Sequence, residues 1–219
     1  MRTEGKGLRT EWYRDTAAMC IGYALAFVLF VGFIVPSSAA GIPPESARYR
    51  IPLTQTVQAY CGLGCPVADY AAQIHQESRW RADAKSPVGA QGMAQFMPAT
   101  SSWVAGVYPR ELGDNKSGDP VWAMRALVLY DRWLWARIKA DTDCEHHAYV
   151  LSAYNGGLGY VHKRQKLSTA PGRCLAATCD INPGIRPAAQ AENAAYPRLI
   201  LLTHAPLYER AGWGRRVCA

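Results

Sequence analysis

The sequence predicts a single all-α domain in which helix ends and loops carry the functional residues. Apolar residues recur at three- and four-residue spacing in two long segments, residues 66–77 and 119–139, and this spacing is typical of amphipathic helices. No segment sustains the alternation of apolar and polar residues that predicts a half-buried strand, and no internal repeat is present. With 219 residues, 49% of them hydrophobic, the chain can bury one sizeable core.

Local start and stop signals place the helices. Pro66 and the Asp119-Pro120 pair are typical helix starts, the Gly156-Gly157 pair predicts a helix end, and Pro197 should kink the helix that contains it. The predicted elements are a helix over residues 66–77, a loop with short helical turns over residues 85–100, a central helix over residues 119–139, and helices at about residues 145–154 and 187–203.

The first 40 residues differ from the rest and predict an export segment. Four basic residues precede an uncharged apolar run over residues 17–35, and Pro36 and a small-residue sequence ending at Ala40 follow it. This order is typical of a signal peptide, and we expect cleavage after Ala40. The run is also close to the roughly 17–25 residues that span a bilayer, so an uncleaved inner-membrane anchor stays open. Both interpretations place the remaining chain in the periplasm.

The rest of the chain divides into three parts. Residues 41–53 hold three prolines and few periodic apolar positions, which predicts a linker. The predicted catalytic domain covers residues 54–205, and residues 206–219 are predicted to form a C-terminal tail.

The cysteines outside the leader form an even set. In an exported domain this favours three disulfides. Two pairs are close enough in sequence for local bridges, Cys61 with Cys65 and Cys174 with Cys179, and this would leave Cys144 for Cys218. Six cysteines nevertheless allow about 15 pairings, and the sequence does not choose among them.

Three short motifs occur in order along the chain. They are Glu77-Ser78 at the end of the first helix, Gly89-Ala90-Gln91-Gly92-Met93-Ala94-Gln95-Phe96-Met97-Pro98 in the loop, and Ala153-Tyr154-Asn155-Gly156-Gly157. Together they resemble the soluble lytic transglycosylase (SLT) family over roughly residues 57–202. Glu192 with Tyr196 four residues later is similar to a fourth, looser family element. The chain departs from the family pattern at Ala94, at Gly156, where the family usually has alanine, and at Pro197.

This resemblance implies a lysozyme-like fold with a groove for glycan strands. It also implies cleavage of peptidoglycan between N-acetylmuramic acid and N-acetylglucosamine without water. One glutamate, Glu77 here, would protonate the leaving oxygen and then accept the proton of the sugar's C6 hydroxyl, which closes a 1,6-anhydro ring. The substrate-binding residues that the matched motifs imply are Ser78, Gln91, Met93, Gln95, Phe96, Tyr154, Asn155 and Tyr196.

The residues themselves also favour Glu77 as an acid. A glycosidic oxygen is a poor leaving group and needs a proton as the bond breaks. Glu77 follows Ile74 by three residues, so it lies on the apolar face of its helix. Loss of solvation there should raise the pKa of the carboxyl toward neutrality.

Hydrolytic glycosidases usually use a second carboxylate, and we find no convincing one. Asp83, Asp114 and Asp119 are nearest in sequence, but turn, loop and helix-cap roles suit them better. Two alternatives stay open. One is a hydrolytic muramidase of similar fold, and the other is a non-catalytic wall-binding protein of an envelope-spanning secretion, conjugation or phage-related machine.

The net charge and the spacing of possible metal ligands limit which partners the chain can bind. The formal net charge of +7 suits an anionic wall polymer, and no nucleic-acid-binding motif accompanies it. The run from Asp143 to His147 fits no common metal-ligand spacing. We therefore expect peptidoglycan strands as partner, and neither metal, cofactor nor nucleic acid. Trp80 and Trp103 could stack on sugars, although most indoles fill cores.

Overall fold

The computed structural model describes residues 41–218, so the predicted export segment over residues 1–40 lies outside the described residues. The described chain is helical, which confirms the all-α prediction, and its β-structure is confined to isolated bridges in the loop over residues 85–96. None of the described helices is long and apolar enough to cross a membrane. The α-helices are α1 (Arg50–Tyr60), α2 (Val67–Ser78), α3 (Pro98–Val107), α4 (Pro109–Leu112), α5 (Pro120–Trp135), α6 (Asp143–Gly156), α7 (Leu158–Leu167), α8 (Pro187–Arg198) and α9 (Ala205–Arg210). Short 3-10 helices form at Pro44–Tyr49 and Thr178–Asp180, and a π-helix, Leu199–His204, joins α8 to α9.

Helix α2 lies inside the domain, with ten of its twelve residues buried. Its alanines Ala68, Ala71 and Ala72 are completely buried, and small side chains of this kind let neighbouring helices approach closely. The helix contacts α1, α9 and the π-helix. A helix that is buried on nearly every side holds its last turn in a defined place, and Glu77 lies in that turn.

The chain reverses sharply directly after α2. Arg79 and Trp80 both have positive φ angles, 52° and 67°, a conformation that non-glycine residues adopt at a cost. Burial of the Trp80 ring offsets this cost, because the ring is 0% exposed and its indole N–H donates to the Tyr208 hydroxyl at 2.6 Å. The ring also stacks on Tyr49 with centroids 5.9 Å apart. Trp80 is therefore a core residue, and it fixes the turn next to Glu77.

Side-chain caps define the starts of α5 and α6. The Asp119 carboxylate accepts a hydrogen bond from the Trp122 N–H at 2.7 Å, as expected for an N-cap, and this confirms the predicted start of the central helix. The Thr142 hydroxyl accepts from the Glu145 N–H at 3.2 Å at the start of α6. Both helices run toward the candidate site from these fixed ends.

The ends of the described chain differ from the prediction of a linker and a tail. Residues 44–53 form a 3-10 helix and the first turn of α1, in which Leu53 is 0% exposed. Their prolines occupy first turns, where the missing N–H is tolerated. At the other end, α9 and residues 211–218 pack onto the domain, with Trp213 and Cys218 buried. The folded domain therefore includes both segments.

Five of the described helices, α1, α3, α4, α7 and α9, lie where the sequence predicted none. Helix α3 begins at Pro98, inside the predicted loop, and α7 includes the basic run after the third motif. The predicted last helix continues through Pro197 to Arg198 and then becomes the π-helix. Because proline has no N–H, the usual bond from position 197 to the Asn193 carbonyl cannot form.

The structure contains both predicted local disulfides and a third disulfide between the two remaining cysteines of the described chain. Cys61–Cys65 and Cys174–Cys179 close short loops, and Cys144–Cys218 ties the start of α6 to the end of the described chain.

Candidate active site

Glu77 occupies the last turn of α2 and faces α8. Its side chain is partly exposed, and the buried Tyr196 hydroxyl of α8 donates a hydrogen bond to its Oε1. Burial raises the pKa of Glu77 to about 8; the Tyr196 hydrogen bond opposes this rise, and the negative charge of Glu192 adds to it. The C-terminal end of a helix dipole also disfavours a carboxylate. The carboxyl is therefore suited to hold a proton at neutral pH.

The third and fourth motifs meet beside Glu77. Asn155, in the last turn of α6, donates from Nδ2 to Glu192 Oε1 at 3.5 Å. Glu192 lies on the exposed side of α8, one turn before Tyr196. The structure thus brings together four residues from three separate motifs: Glu77, Asn155, Glu192 and Tyr196.

Tyr154 connects α6 to the loop that follows α2. Its hydroxyl donates to the Ala94 carbonyl at 2.7 Å, and its ring lies 5.6 Å from Phe96 and 5.4 Å from Tyr130. Burial raises the pKa of Tyr154 well above its ordinary value. The hydroxyl therefore stays protonated and acts as a donor that holds the loop in place.

The second motif forms a braced loop. Gln95, at a φ of 49°, donates from Nε2 to the carbonyls of Gly92 at 2.8 Å and Ala84 at 3.2 Å. Gly92 has a φ of 73°, and a Cβ there would lie 2.0 Å from the Ser117 carbonyl oxygen, so only glycine fits. The Ser117 hydroxyl donates to Gln91 Oε1 at 3.5 Å.

Several predicted substrate-binding residues are buried instead of open to solvent. Met93 and Phe96 are 1% and 2% exposed and belong to the hydrophobic core. Ser78 is 3% exposed, and its hydroxyl has no hydrogen-bond partner within residues 41–218. Among the predicted binding residues, Gln91, Gln95, Tyr154 and Asn155 keep partial exposure.

The three aspartates considered as second carboxylates lie on the surface. Asp83, Asp114 and Asp119 are exposed, and Asp119 caps α5. Asp131 in α5 was not among the predicted site residues. It is 5% exposed and accepts from Gln73 Nε2 at 3.4 Å. Burial holds the pKa of Asp131 well above its ordinary value, and Glu77 adds to this rise. Its position on the apolar stripe of α5 is the signal that could have found it.

Asp69 is a further buried carboxyl on α2. It is 4% exposed, its Oδ2 accepts from the Val217 N–H at 3.1 Å, and its Oδ1 has no partner in the described chain. Burial raises the pKa of Asp69 from 3.8 to about 7, although the Val217 N–H and the charges of Arg215 and Arg216 oppose the rise. Folding therefore favours the protonated form of Asp69 relative to the unfolded chain.

Asp69 should make the folded state less stable as the pH rises. Because the folded pKa of about 7 exceeds 3.8, its contribution is fully present below pH 3.8 and is lost as the pH rises through 7. Asp69→Asn keeps an acceptor for Val217 and removes the ionisation. We expect this variant to be more stable than wild type at pH 8, by no more than about 4 kcal/mol, with the difference vanishing near pH 4.

Thermal unfolding from pH 4 to pH 8 measures this difference. Asp114→Asn, at an exposed position, is the matched control and should follow the wild-type curve. An Asp69→Asn curve parallel to wild type over the whole range would show that Asp69 is not the group responsible.

The histidines near the start of α6 serve packing. His146 stacks on Trp135 with centroids 3.5 Å apart, and its Nε2 lies 3.1 Å from the Trp135 carbonyl oxygen. The His147 Nδ1 lies 3.3 Å from the Asp143 carbonyl oxygen. In the described part of the chain, no group of three or more His, Cys, Asp or Glu side chains could hold a metal ion.

Comparisons with known proteins agree on one family. Residues 66–173 match the family model described as Transglycosylase SLT domain. The membrane-bound lytic murein transglycosylase F of Vibrio campbellii is 33% identical over 104 residues, which cover 47% of this chain and 18% of that protein. Its namesake in Pasteurella multocida is 32% identical over 106 residues, which cover 47% of this chain and 19% of that protein. The chain thus spans about a fifth of the length of these curated relatives.

Solved structures share the fold. The 70 kDa soluble lytic transglycosylase SLT70 of Escherichia coli superposes with a TM-score of 0.57 and 22% identity, over 78% of this chain and 28% of that one. An inactive mutant of the lytic transglycosylase Slt of Pseudomonas aeruginosa gives a TM-score of 0.57 with 18% identity, over 80% of this chain and 26% of that one. The predicted lysozyme-like fold is confirmed.

Proposed function

Residues 66–173 belong to the transglycosylase SLT domain family, and we propose from this premise that the protein cleaves peptidoglycan glycan strands as a lytic transglycosylase, with Glu77 as its single catalytic acid and base. One observation carries the proposal. The motif glutamate lies in the last turn of a buried helix, under a tyrosine hydroxyl, with its pKa raised to about 8.

The first step uses Glu77 as an acid. With a pKa of about 8, most Glu77 side chains carry a proton at pH 7. That proton passes to the glycosidic oxygen between N-acetylmuramic acid and N-acetylglucosamine as the C1–O bond breaks. Tyr196 holds the carboxyl from the α8 side, because its hydroxyl donates to Oε1.

The second step uses the resulting carboxylate as a base. Glu77 takes the proton of the C6 hydroxyl of the muramic acid while that oxygen bonds to C1. This closes a 1,6-anhydro ring and returns Glu77 to its protonated form, so the cycle needs no water. Burial raises the pKa of Asp131, the aspartate whose charge interacts with Glu77, well above its ordinary value. A protonated carboxyl cannot activate water, which supports this route.

Glu192 is the residue that a hydrolytic mechanism could use as its second carboxylate. It is exposed on α8 and close enough for its charge to raise the pKa of Glu77. A second carboxylate near the acid is what a hydrolytic muramidase requires. Asn155 donates to this carboxylate, and in the transglycosylase proposal the two residues orient the sugar.

The mass of the products separates the two reactions. Digestion of purified sacculi should give fragments ending in 1,6-anhydro-N-acetylmuramic acid, each lighter by one water than the hydrolytic product. Mass spectrometry of the released fragments measures this. Ordinary reducing ends would show a hydrolase. If Glu192 is its base, Glu192→Gln should abolish activity while Asp83→Asn should not.

The cellular setting follows from the same proposal. We propose that the domain acts in the periplasm, which the predicted export segment and the net charge of +7 support, and that peptidoglycan strands are its partner. We also propose that residues 17–35 anchor the protein in the inner membrane. The domain would then open the wall for an envelope-spanning secretion, conjugation or phage-related machine. A non-catalytic wall-binding role would require glycan binding without any cleavage in the sacculus digestion.

A further inference from the structure

We propose that Asn193, backed by Arg164, is a positioning residue that fixes the side-chain amide of Asn155, so that its NH2 group points toward Glu192 and the bound glycan. The inference rests on the proposed function for its catalytic consequence. Its structural part, a directed chain of hydrogen bonds behind the site, stands on the contacts alone.

The chain of hydrogen bonds begins at a buried arginine. Arg164 of α7 is 0% exposed, and no carboxylate within residues 41–218 pairs with it. Its guanidinium instead donates to the Ile181 carbonyl at 3.0 Å, to Gln190 Oε1 at 2.6 Å and to the Ser152 hydroxyl at 3.3 Å. Burying a charge without a counter-ion is costly, and these three acceptors offset part of that cost and fix the position of the guanidinium.

Arg164 sets the direction of every later bond. A guanidinium only donates, so the Ser152 oxygen accepts from it and must turn its own proton elsewhere. That proton goes to Asn193 Oδ1 at 2.8 Å. The Asn193 Nδ2 then faces two acceptors, the Ser152 carbonyl at 2.9 Å and Asn155 Oδ1 at 2.7 Å.

The consequence for Asn155 is a single amide orientation. Its Oδ1 is held by the donor on Asn193, so its Nδ2 must point the other way, toward Glu192 Oε1 at 3.5 Å. Asn193 is 1% exposed while Asn155 keeps partial exposure. The amide that substrate can reach is therefore oriented by one that it cannot reach.

Gly156 provides the space that Asn193 needs. A Cβ at this position would lie 2.6 Å from Asn193 Nδ2 and 3.1 Å from its Cγ, so an alanine would displace the Asn193 amide. This accounts for the glycine that replaces the family's usual alanine. Gly156 and Asn193 form a matched pair in this chain.

Asn193→Asp tests the direction of these hydrogen bonds, because it changes the donors of the side chain but hardly its shape. An aspartate has at most one donor hydrogen, against the two of the Asn193 NH2 group. It therefore cannot satisfy both the Ser152 carbonyl and Asn155 Oδ1, and the Asn155 amide loses its fixed orientation. We expect kcat/KM on purified glycan strands to fall about tenfold to a hundredfold. Asn182→Asp, on an exposed loop where the side-chain oxygen accepts from the Gly184 and Ile185 N–H groups, is the matched control and should match wild type.

A double-mutant cycle separates positioning from a merely structural role. If Asn193 acts through Asn155, Asn193→Asp should lower kcat/KM by less than about twofold in an Asn155→Ala background. Gly156→Ala is the second variant, adds no charge, and should show the same pattern should Asn193→Asp fail to fold. An equal loss of kcat/KM in both backgrounds would overturn the proposal.

A second measurement does not depend on catalysis. The side-chain NH2 resonances of Asn155, identified by their absence in Asn155→Ala, should shift in 15N-labelled Asn193→Asp and stay unchanged in Asn182→Asp. Unchanged resonances in both variants would refute the amide orientation itself. Shifted resonances together with a wild-type protein that cleaves no glycan would support the positioning and reject the proposed function.

Discussion

Glu77→Gln should fold normally and retain less than a tenth of the wild-type rate of peptidoglycan cleavage. The amide keeps the shape of the side chain and can still meet the Tyr196 hydroxyl, but it cannot give a proton to the leaving oxygen or take one from the C6 hydroxyl. Loss of a general acid typically costs 10²- to 10⁴-fold. Because Glu77 serves both proton transfers in the proposed cycle, we expect a loss near the upper end of this range.

The same residue should set the pH dependence of the wild-type reaction. An ordinary glutamate with a pKa of 4.5 would be ionised at pH 7, whereas burial raises the pKa of Glu77 to about 8. The acid form is therefore present below pH 8 and is lost above it, so kcat/KM should fall as the pH rises through about 8.

Two controls accompany Glu77→Gln. Glu45→Gln, at an exposed position of the first 3-10 helix, should keep wild-type activity, and the unfolding temperature of Glu77→Gln should equal or exceed that of wild type above pH 8. More than a tenth of the wild-type rate in correctly folded Glu77→Gln would remove Glu77 from the mechanism.

Local sequence signals predict the capped and strongly amphipathic helices. Helices α2 and α5 were predictable because an apolar stripe and a start signal agree, as at Asp119. Helices α1 and α3 were missed because Pro52 and Pro98 lie in their first turns, where proline marks a start as readily as a break. The packing of residues 211–218, in which Trp213 and Cys218 are buried, depends on partners far along the chain such as Cys144, so no local pattern predicts it.

At the candidate site too, local patterns predict some residues, and contacts between distant segments determine the others. A carboxyl on an apolar stripe was enough to single out Glu77, and the same signal on α5 would have found Asp131. The role of Asn193 could not be predicted, because it depends on Arg164 of the preceding helix and on a missing Cβ at Gly156. The periodicity of apolar residues predicts which face of a helix is buried. It does not predict which buried polar groups form hydrogen bonds with one another.

Removal of the Cys144–Cys218 disulfide should cause the largest loss of stability among the three bridges. A bridge stabilises mainly by restricting the unfolded chain, and more so for longer loops. The 74-residue separation of this pair corresponds to about 4 kcal/mol, against about 2 kcal/mol for the short Cys61–Cys65 loop. We therefore expect the double variant Cys144→Ala, Cys218→Ala to unfold about 10 °C below wild type.

The packing around this bridge adds to the expected loss. Cys218 follows Val217, whose N–H donates to Asp69 on α2. Cys144 lies in the first turn of α6, and Tyr154 and Asn155 lie in its last turn. Release of the C-terminal segment would leave the buried Asp69 carboxyl without this donor. Thermal unfolding of oxidised wild type and of both double variants measures the difference, with Cys61→Ala, Cys65→Ala as the short-loop control. Equal losses for the two pairs would mean that loop length does not decide their contributions, and no loss for the Cys144 pair would mean that burial of Trp213 and α9 alone holds the C-terminal segment in place.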